Sequence, residues 1–128
     1  MSIKLLLRIS YIILAFAFML AGFNHFRNPE PYLSLIPPYI PLPNFINFLV
    51  GFFEISLGAG LLIKSTRKKS AWGIIILLIL FIPAHIFMIQ KAPFMMGATL
   101  ITPTIAWLRL PLQFVLILWA YVHTKNTD

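Results

Sequence analysis

The chain has no cysteine, and only three of its 128 residues are acidic: Glu30, Glu54 and Asp128. Without cysteine there are no disulfide staples, no thiol redox chemistry and no thiolate metal sites. Charge of either sign is scarce. Charged residues make up 10% of the chain and hydrophobic ones 60%, whereas soluble domains carry about 25% charged residues. A water-soluble globule is thereby excluded. A P-loop, a serine-elbow motif and a second carboxylate within a hydrophobic run are also missing. ATP hydrolysis and triad chemistry lack the residues they need. No catalytic residue or metal site is assigned, and an independent enzyme is the least favoured reading. The net charge of +7 would suit nucleic acid if it formed a polar basic face. Instead Lys and Arg gather at the ends of hydrophobic runs, as the positive-inside rule expects. The expected partner is therefore a lipid bilayer, not nucleic acid.

What the chain does have is long apolar runs. Four of them, about 3–26, 44–64, 70–89 and 104–122, are long enough to cross a hydrocarbon layer of about 30 Å. The expected fold is all-α: a single integral membrane domain over residues 1–128, built as a four-transmembrane-helix up-down-up-down bundle. The first run begins like a signal peptide, with Ala15–Phe16–Ala17 resembling a cleavage site. Its apolar character continues to Phe26 and more hydrophobic runs follow, so it reads as an uncleaved first span. Ala17, Ala21 and Gly22 give that span a small-residue face for close helix approach.

Spans one and two are joined by RNPEPYLSLIPPYIPLPNF, which holds six of the ten prolines (29, 31, 37, 38, 41 and 43). Such density forbids continuous helix, while Tyr32 and Tyr39 favour the membrane–water interface. A stiff, proline-rich interfacial loop is expected, with a short helical turn near 32–36 and Pro43 opening span two. The brief connection 65–69 makes spans two and three antiparallel neighbours. Pro83 should kink span three one turn before His85. Residues 90–103 read as an interfacial or partly re-entrant loop, and 123–128 as a polar tail. With the N-terminus inside, Lys4, Arg8, Lys64, Arg67, Lys68, Lys69 and Lys125 share the inner side, against Arg27, Lys91 and Arg109 at or near the outer one. Both termini are thus expected to be cytoplasmic.

Span two carries Glu54 near its middle, and an intramembrane carboxylate costs at least ~2.5 kcal/mol on insertion scales. It should be neutral or paired inside the protein. Asn47, Gly51, Glu54 and Gly58 share one helical face, which should meet other helices, while Phe48, Phe52, Ile55 and Leu62 suit lipid. His25 and Asn24 close span one at its outer end. His85 falls in the outer third of span three, and Arg109 and Gln113 lie on one face of span four. Polar side chains from all four spans therefore converge in the outer half. Glu54–Arg109 is the expected ion pair. His25 and His85 invite a metal or haem reading, but hydrogen-bonded interior histidines are favoured over haem. Trp107, Trp119, Tyr121, Tyr32 and Tyr39 read as belt aromatics, Met95 and Met96 as loop packing.

The segments GFNHFRNPEPYL (22–33), PPYIPLP (37–43), GFFEISLGAGLL (51–62), TRKKSAWG (66–73), PAHIFM (83–88) and WLRLPLQ (107–113) resemble the DoxX family of small bacterial membrane proteins. The resemblance spans about residues 15–120. It implies a four-helix bundle of the bacterial inner membrane, accessory to an electron-transfer or stress-response complex. It also makes a quinone head group the first ligand to consider.

Two functions are weighed equally. One is a binding module whose outer pocket, formed by His25, Glu54, His85, Arg109, Gln113 and Asn24, holds a small amphipathic molecule under the proline-rich loop. The other is a scaffold or assembly subunit, attached to a membrane redox partner or to copies of itself, whose polar cluster only fixes helix packing. Transport as an oligomer ranks behind both, because the inner half, Trp72 to Leu80, offers no polar stripe.

Overall fold

The computed structural model describes residues 1–125, so residues 126–128 of the expected tail lie outside the described residues. The chain is mostly helical. Ser2 caps α1 (Ile3–Arg27) by accepting from the Leu5 N–H at 3.2 Å. The proline-rich segment forms only the short α2 (Glu30–Leu33). Leu42, set between Pro41 and Pro43, takes the left-handed φ of 54°. Proline disfavours the right-handed region at the residue before it. The chain turns at Leu42, and Pro43 opens α3 (Pro43–Leu61) as expected.

α4 (Arg67–Leu80) and α5 (Ile82–Lys91) belong to one hydrophobic run, parted at Phe81. Pro83 lacks the N–H that would reach Ile79. The Phe81 N–H divides its donation between the Leu77 and Leu78 carbonyls, at 3.1 and 3.2 Å. The expected kink therefore falls just ahead of His85. Counting α4 and α5 together, four helical stretches among the described residues are long and apolar enough to cross a membrane: Ile3–Arg27, Pro43–Leu61, Arg67–Lys91 and Pro103–Val122. The last is α6, capped by Thr102, whose hydroxyl accepts from the Ile105 N–H at 3.2 Å.

The region 90–103 corrects the purely helical expectation. α5 runs on to Lys91, and an antiparallel hairpin follows, β1 (Phe94–Met96) with β2 (Thr99–Ile101). Phe94 stands opposite Ile101 and Met96 opposite Thr99. Gly97, at φ +62°, opens the tight loop, a conformation costly for residues with a Cβ. Ile101 packs with Met88, Ala106 and Leu35 in a small separate core.

α1 and α3 touch backbone to backbone. A Cβ on Gly22 would lie 2.6 Å from the Gly51 carbonyl oxygen, and one on Gly58 would lie 2.7 Å from that of Ala15. The small face of α1 thus runs through Ala15 and Gly22, while Ala17, expected on it, is exposed. On α3 the buried face is Asn47, Gly51, Glu54 and Gly58, as the spacing predicts. Phe48, Phe52 and Leu62 are exposed, but Ile55 packs on Gly22 and is only partly so. The main core joins Leu14 and Phe18 of α1, Leu61 of α3, Ile74 and Leu78 of α4 and Ala120 of α6.

Candidate functional site

Asn24 and His25 lie in the last turn and a half of α1, above the point where Gly22 lets α3 come close. His25 Nδ1 is 2.6 Å from Asn47 Oδ1, and Asn47 Nδ2 donates to the His25 carbonyl at 3.0 Å. The second bond fixes the first. A carbonyl only accepts, so the nitrogen of the Asn47 amide must face it, and the amide oxygen must face Nδ1. Nδ1 therefore carries a proton. His25 Nε2 points at Glu54 Oε2, 3.7 Å away. With Nδ1 protonated, Nε2 is the ring nitrogen that faces the carboxyl group. Glu54 is 4% exposed and its Oε2 is buried without a hydrogen bond.

Tyr32 covers this half of the site. Its ring stacks on His25 with centroids 3.8 Å apart, and its hydroxyl accepts from Asn24 Nδ2 at 2.7 Å. Asn24 Oδ1 in turn accepts from Arg27 at 2.6 Å. Tyr32 is thus half-buried and tied to the site by both its ring and its hydroxyl.

The other half repeats the device on α5 and α6. Gln113 Nε2 donates to the Leu78 carbonyl at 2.7 Å, beside the break that Pro83 creates, and Gln113 Oε1 sits 3.1 Å from His85 Nε2. The same reasoning puts the proton on Nε2. His85 Nδ1 is then an acceptor in the neutral ring, and it is buried with no partner. Arg109, one turn before Gln113, is half-buried and has no hydrogen bond or ion pair among the described residues. It lies in electrostatic range of both His85 and Tyr32, which links the two halves.

The expected Glu54–Arg109 pair does not form; Glu54 faces His25 instead. The cause is the glycine contact, which brings α1 and not α6 against the Glu54 face of α3. Both ring nitrogens of His25 are turned to protein groups, leaving none for a haem iron. Among the described residues no cluster of three or more His, Asp or Glu could hold a metal ion. The six residues named from sequence thus divide as Asn24, His25 and Glu54 in one half and His85, Arg109 and Gln113 in the other. Asn47 was missed as a site residue, although it shares the Glu54 face.

A second polar cluster, unforeseen, lies at the basic end. Ser10 accepts from Trp119 Nε1 at 2.8 Å and meets His123 Nε2 at 2.9 Å. His123 is 1% exposed, and its ring meets Tyr11 edge to face. The Arg67 guanidinium lies 3.7 Å over the Tyr11 ring, and its Nε donates to the Leu61 carbonyl. Burial, and then the charge of Arg67, hold the His123 pKa below its ordinary value. Trp119 is half-buried and bonded to Ser10, while Trp107 and Tyr39 are exposed.

A family model described as a domain of unknown function (DUF8561) matches residues 14–124, which include both halves of the site. Comparison with curated proteins and with solved structures gave no match.

Proposed function

The chain belongs to the family described as a domain of unknown function, DUF8561, and from its site we propose that it holds the polar head of a small amphipathic molecule inside a membrane bundle. The carrying observation is a set of polar groups with hydrogen-bonding capacity to spare: buried Glu54 Oε2, which faces His25 Nε2 at 3.7 Å but accepts no hydrogen bond, buried His85 Nδ1, and the half-buried Arg109 in electrostatic range of His85. Each unmet buried polar group costs about 1–3 kcal/mol, and a ligand that bonds them recovers that. The set suits a molecule offering both hydroxyl donors and carbonyl acceptors. Hydroxyls would donate to His85 and Glu54, and Arg109 would donate to a carbonyl. His25 Nε2 and Glu54 Oε2, 3.7 Å apart, would be placed to give a proton to such a head or take one from it. A quinone–quinol pair offers these groups in turn, the quinol its hydroxyls to His85 and Glu54 and the quinone its carbonyls to Arg109, and the DoxX resemblance favours it.

In this reading the single domain is an up-down-up-down bundle in a bacterial inner membrane, with both termini cytoplasmic. The pairing of Gly22 with Gly51, Leu57 with Gly73 and Trp72 with Tyr121 supports the alternation. The Lys and Arg bias supports the orientation. The proline-rich loop lies over the head-group site at the interface, and the protein serves as an accessory to a membrane redox or stress-response complex. A scaffold role is the second reading. It is favoured by the way Asn47 and Gln113 tie helices together through backbone carbonyls.

Extraction of the protein from quinone-containing membranes, followed by native mass spectrometry, tests the first reading. A retained quinone that is lost in Arg109→Ala supports it. A folded, empty wild-type protein with a stoichiometric protein partner supports the scaffold.

A further inference from the structure

Tyr32 stands between the two halves of the polar cluster. Its ring stacks on His25 of α1, with centroids 3.8 Å apart, and its hydroxyl lies in electrostatic range of Arg109 on α6. The segment that carries it is held from the α5 and hairpin side. The Ser34 carbonyl accepts from Lys91 at 3.3 Å, and Pro31 lies so close to Gly97 that an added Cβ there would meet it at 2.9 Å.

Two hydrogen bonds decide which way the hydroxyl proton of Tyr32 turns. Arg27 has only donors, so the Asn24 atom facing it at 2.6 Å is the amide oxygen. The amide nitrogen of Asn24 then faces Tyr32 and donates to its hydroxyl oxygen at 2.7 Å. Tyr32 has one hydroxyl hydrogen of its own, and Asn24, donating, does not receive it. Among the described residues the hydroxyl makes no second hydrogen bond.

We propose that Tyr32 is a further binding residue, whose O–H donates, together with the Arg109 guanidinium, to one carbonyl oxygen of the ligand head. This rests on the head-group reading above and narrows it: the ligand must present a single oxygen open to two donors. Asn24 and Arg27 are positioning residues that keep the phenol proton turned away from α1. The proline-rich loop thereby supplies a bond to the head as well as a cover.

Two variants test the donor role. Tyr32→Phe keeps the ring on His25 and removes the hydroxyl. Asn24→Asp keeps the size and the bond from Arg27, but a carboxylate only accepts, so Tyr32 must donate to it and has no proton left for the ligand. The full chain in nanodiscs is titrated with methyl-substituted benzoquinone, and the infrared carbonyl stretch of the bound probe is recorded. In wild type the stretch falls below that of the probe in empty nanodiscs. Each variant weakens binding about threefold to tenfold, the range for one hydrogen bond, and moves the band back up. A purely structural Tyr32 would not respond to Asn24→Asp, which keeps the bond between the two side chains with its direction reversed. Wild-type affinity with an unmoved band in either folded variant overturns the donor role and leaves the head-group site standing. Absence of saturable binding to wild type overturns the head-group reading and this inference with it.

Discussion

Asn47 grips His25 at two points, its amide oxygen facing Nδ1 at 2.6 Å and its amide nitrogen donating to the His25 carbonyl at 3.0 Å. One amide thereby sets both the rotamer and the tautomer of the histidine. Gln113 does the same for His85 through the Leu78 carbonyl. Removing the amide should release the ring. Asn47→Leu is expected to lower stability by about 1–3 kcal/mol, the range for stranding buried polar partners. In the wild type, nitrogen NMR of His25 should show a protonated Nδ1; in Asn47→Leu the two tautomers should mix. A wild-type ring carrying its only proton on Nε2 would contradict the assignment.

Glu54 faces His25 Nε2 at 3.7 Å, so glutamine and alanine should behave differently there. Glu54→Gln keeps the volume and offers an N–H to the ring nitrogen. Glu54→Ala strands that nitrogen and opens a void. Folded yield and melting temperature should fall clearly in the alanine variant, by the equivalent of about 1–3 kcal/mol, and little in the glutamine one. Matching, near-normal values for both would show that the carboxylate is not held by a buried partner.

The glycine contact between α1 and α3 sets the geometry of the whole site. At Gly22 an added Cβ would come 2.6 Å from a backbone oxygen, whereas at Gly73 the near atom is the flexible end of Leu57. Gly22→Ala should therefore destabilise by about 1–3 kcal/mol and also weaken ligand binding. Gly73→Ala should be near neutral, since alanine favours the helix. Thermal unfolding of both variants in one detergent decides it, and equal effects would mean that the helices do not touch there.

At the basic end His123 is buried beside Arg67, and its pKa lies below 6.5 in the folded protein. Between that lowered value and 6.5 the unfolded chain binds more protons than the folded one, so stability must rise with pH. The contribution is fully present above 6.5 and is lost as pH falls below it toward the folded value. Melting temperatures of the wild type should drop on acidification through this window. His123→Gln, which cannot titrate, should drop less. Identical pH profiles would show that His123 does not resist protonation.

Much of this was readable from residue order. The face Asn47–Gly51–Glu54–Gly58 is a matter of helical period, and Pro83 announces its own break. Pairing was not readable, because spacing says which residues share a face but not which helix lies opposite. Arg109 has the right charge for Glu54, yet Gly22 and Gly51 bring His25 there first. Tyr32 and Trp119 show the same limit. Their amphipathic rings suit an interface, and only the positions of Asn24 and Ser10 tell that their polar ends are bonded within the protein. The hairpin was hidden by short strands, whose alternation covers too few residues to stand out from an apolar loop.

In the proposed function the two halves of the polar cluster, on α1–α3 and on α5–α6, face one ligand head. Equilibrium binding of methyl-substituted benzoquinone and its quinol to the nanodisc-embedded protein tests it most directly, in wild type, Glu54→Gln and Arg109→Gln. Saturable binding weakened about tenfold by each substitution, one from each half, is the predicted result, in keeping with loss of one hydrogen bond. Binding left unchanged by both substitutions in folded protein, or no saturable binding at all, would contradict it.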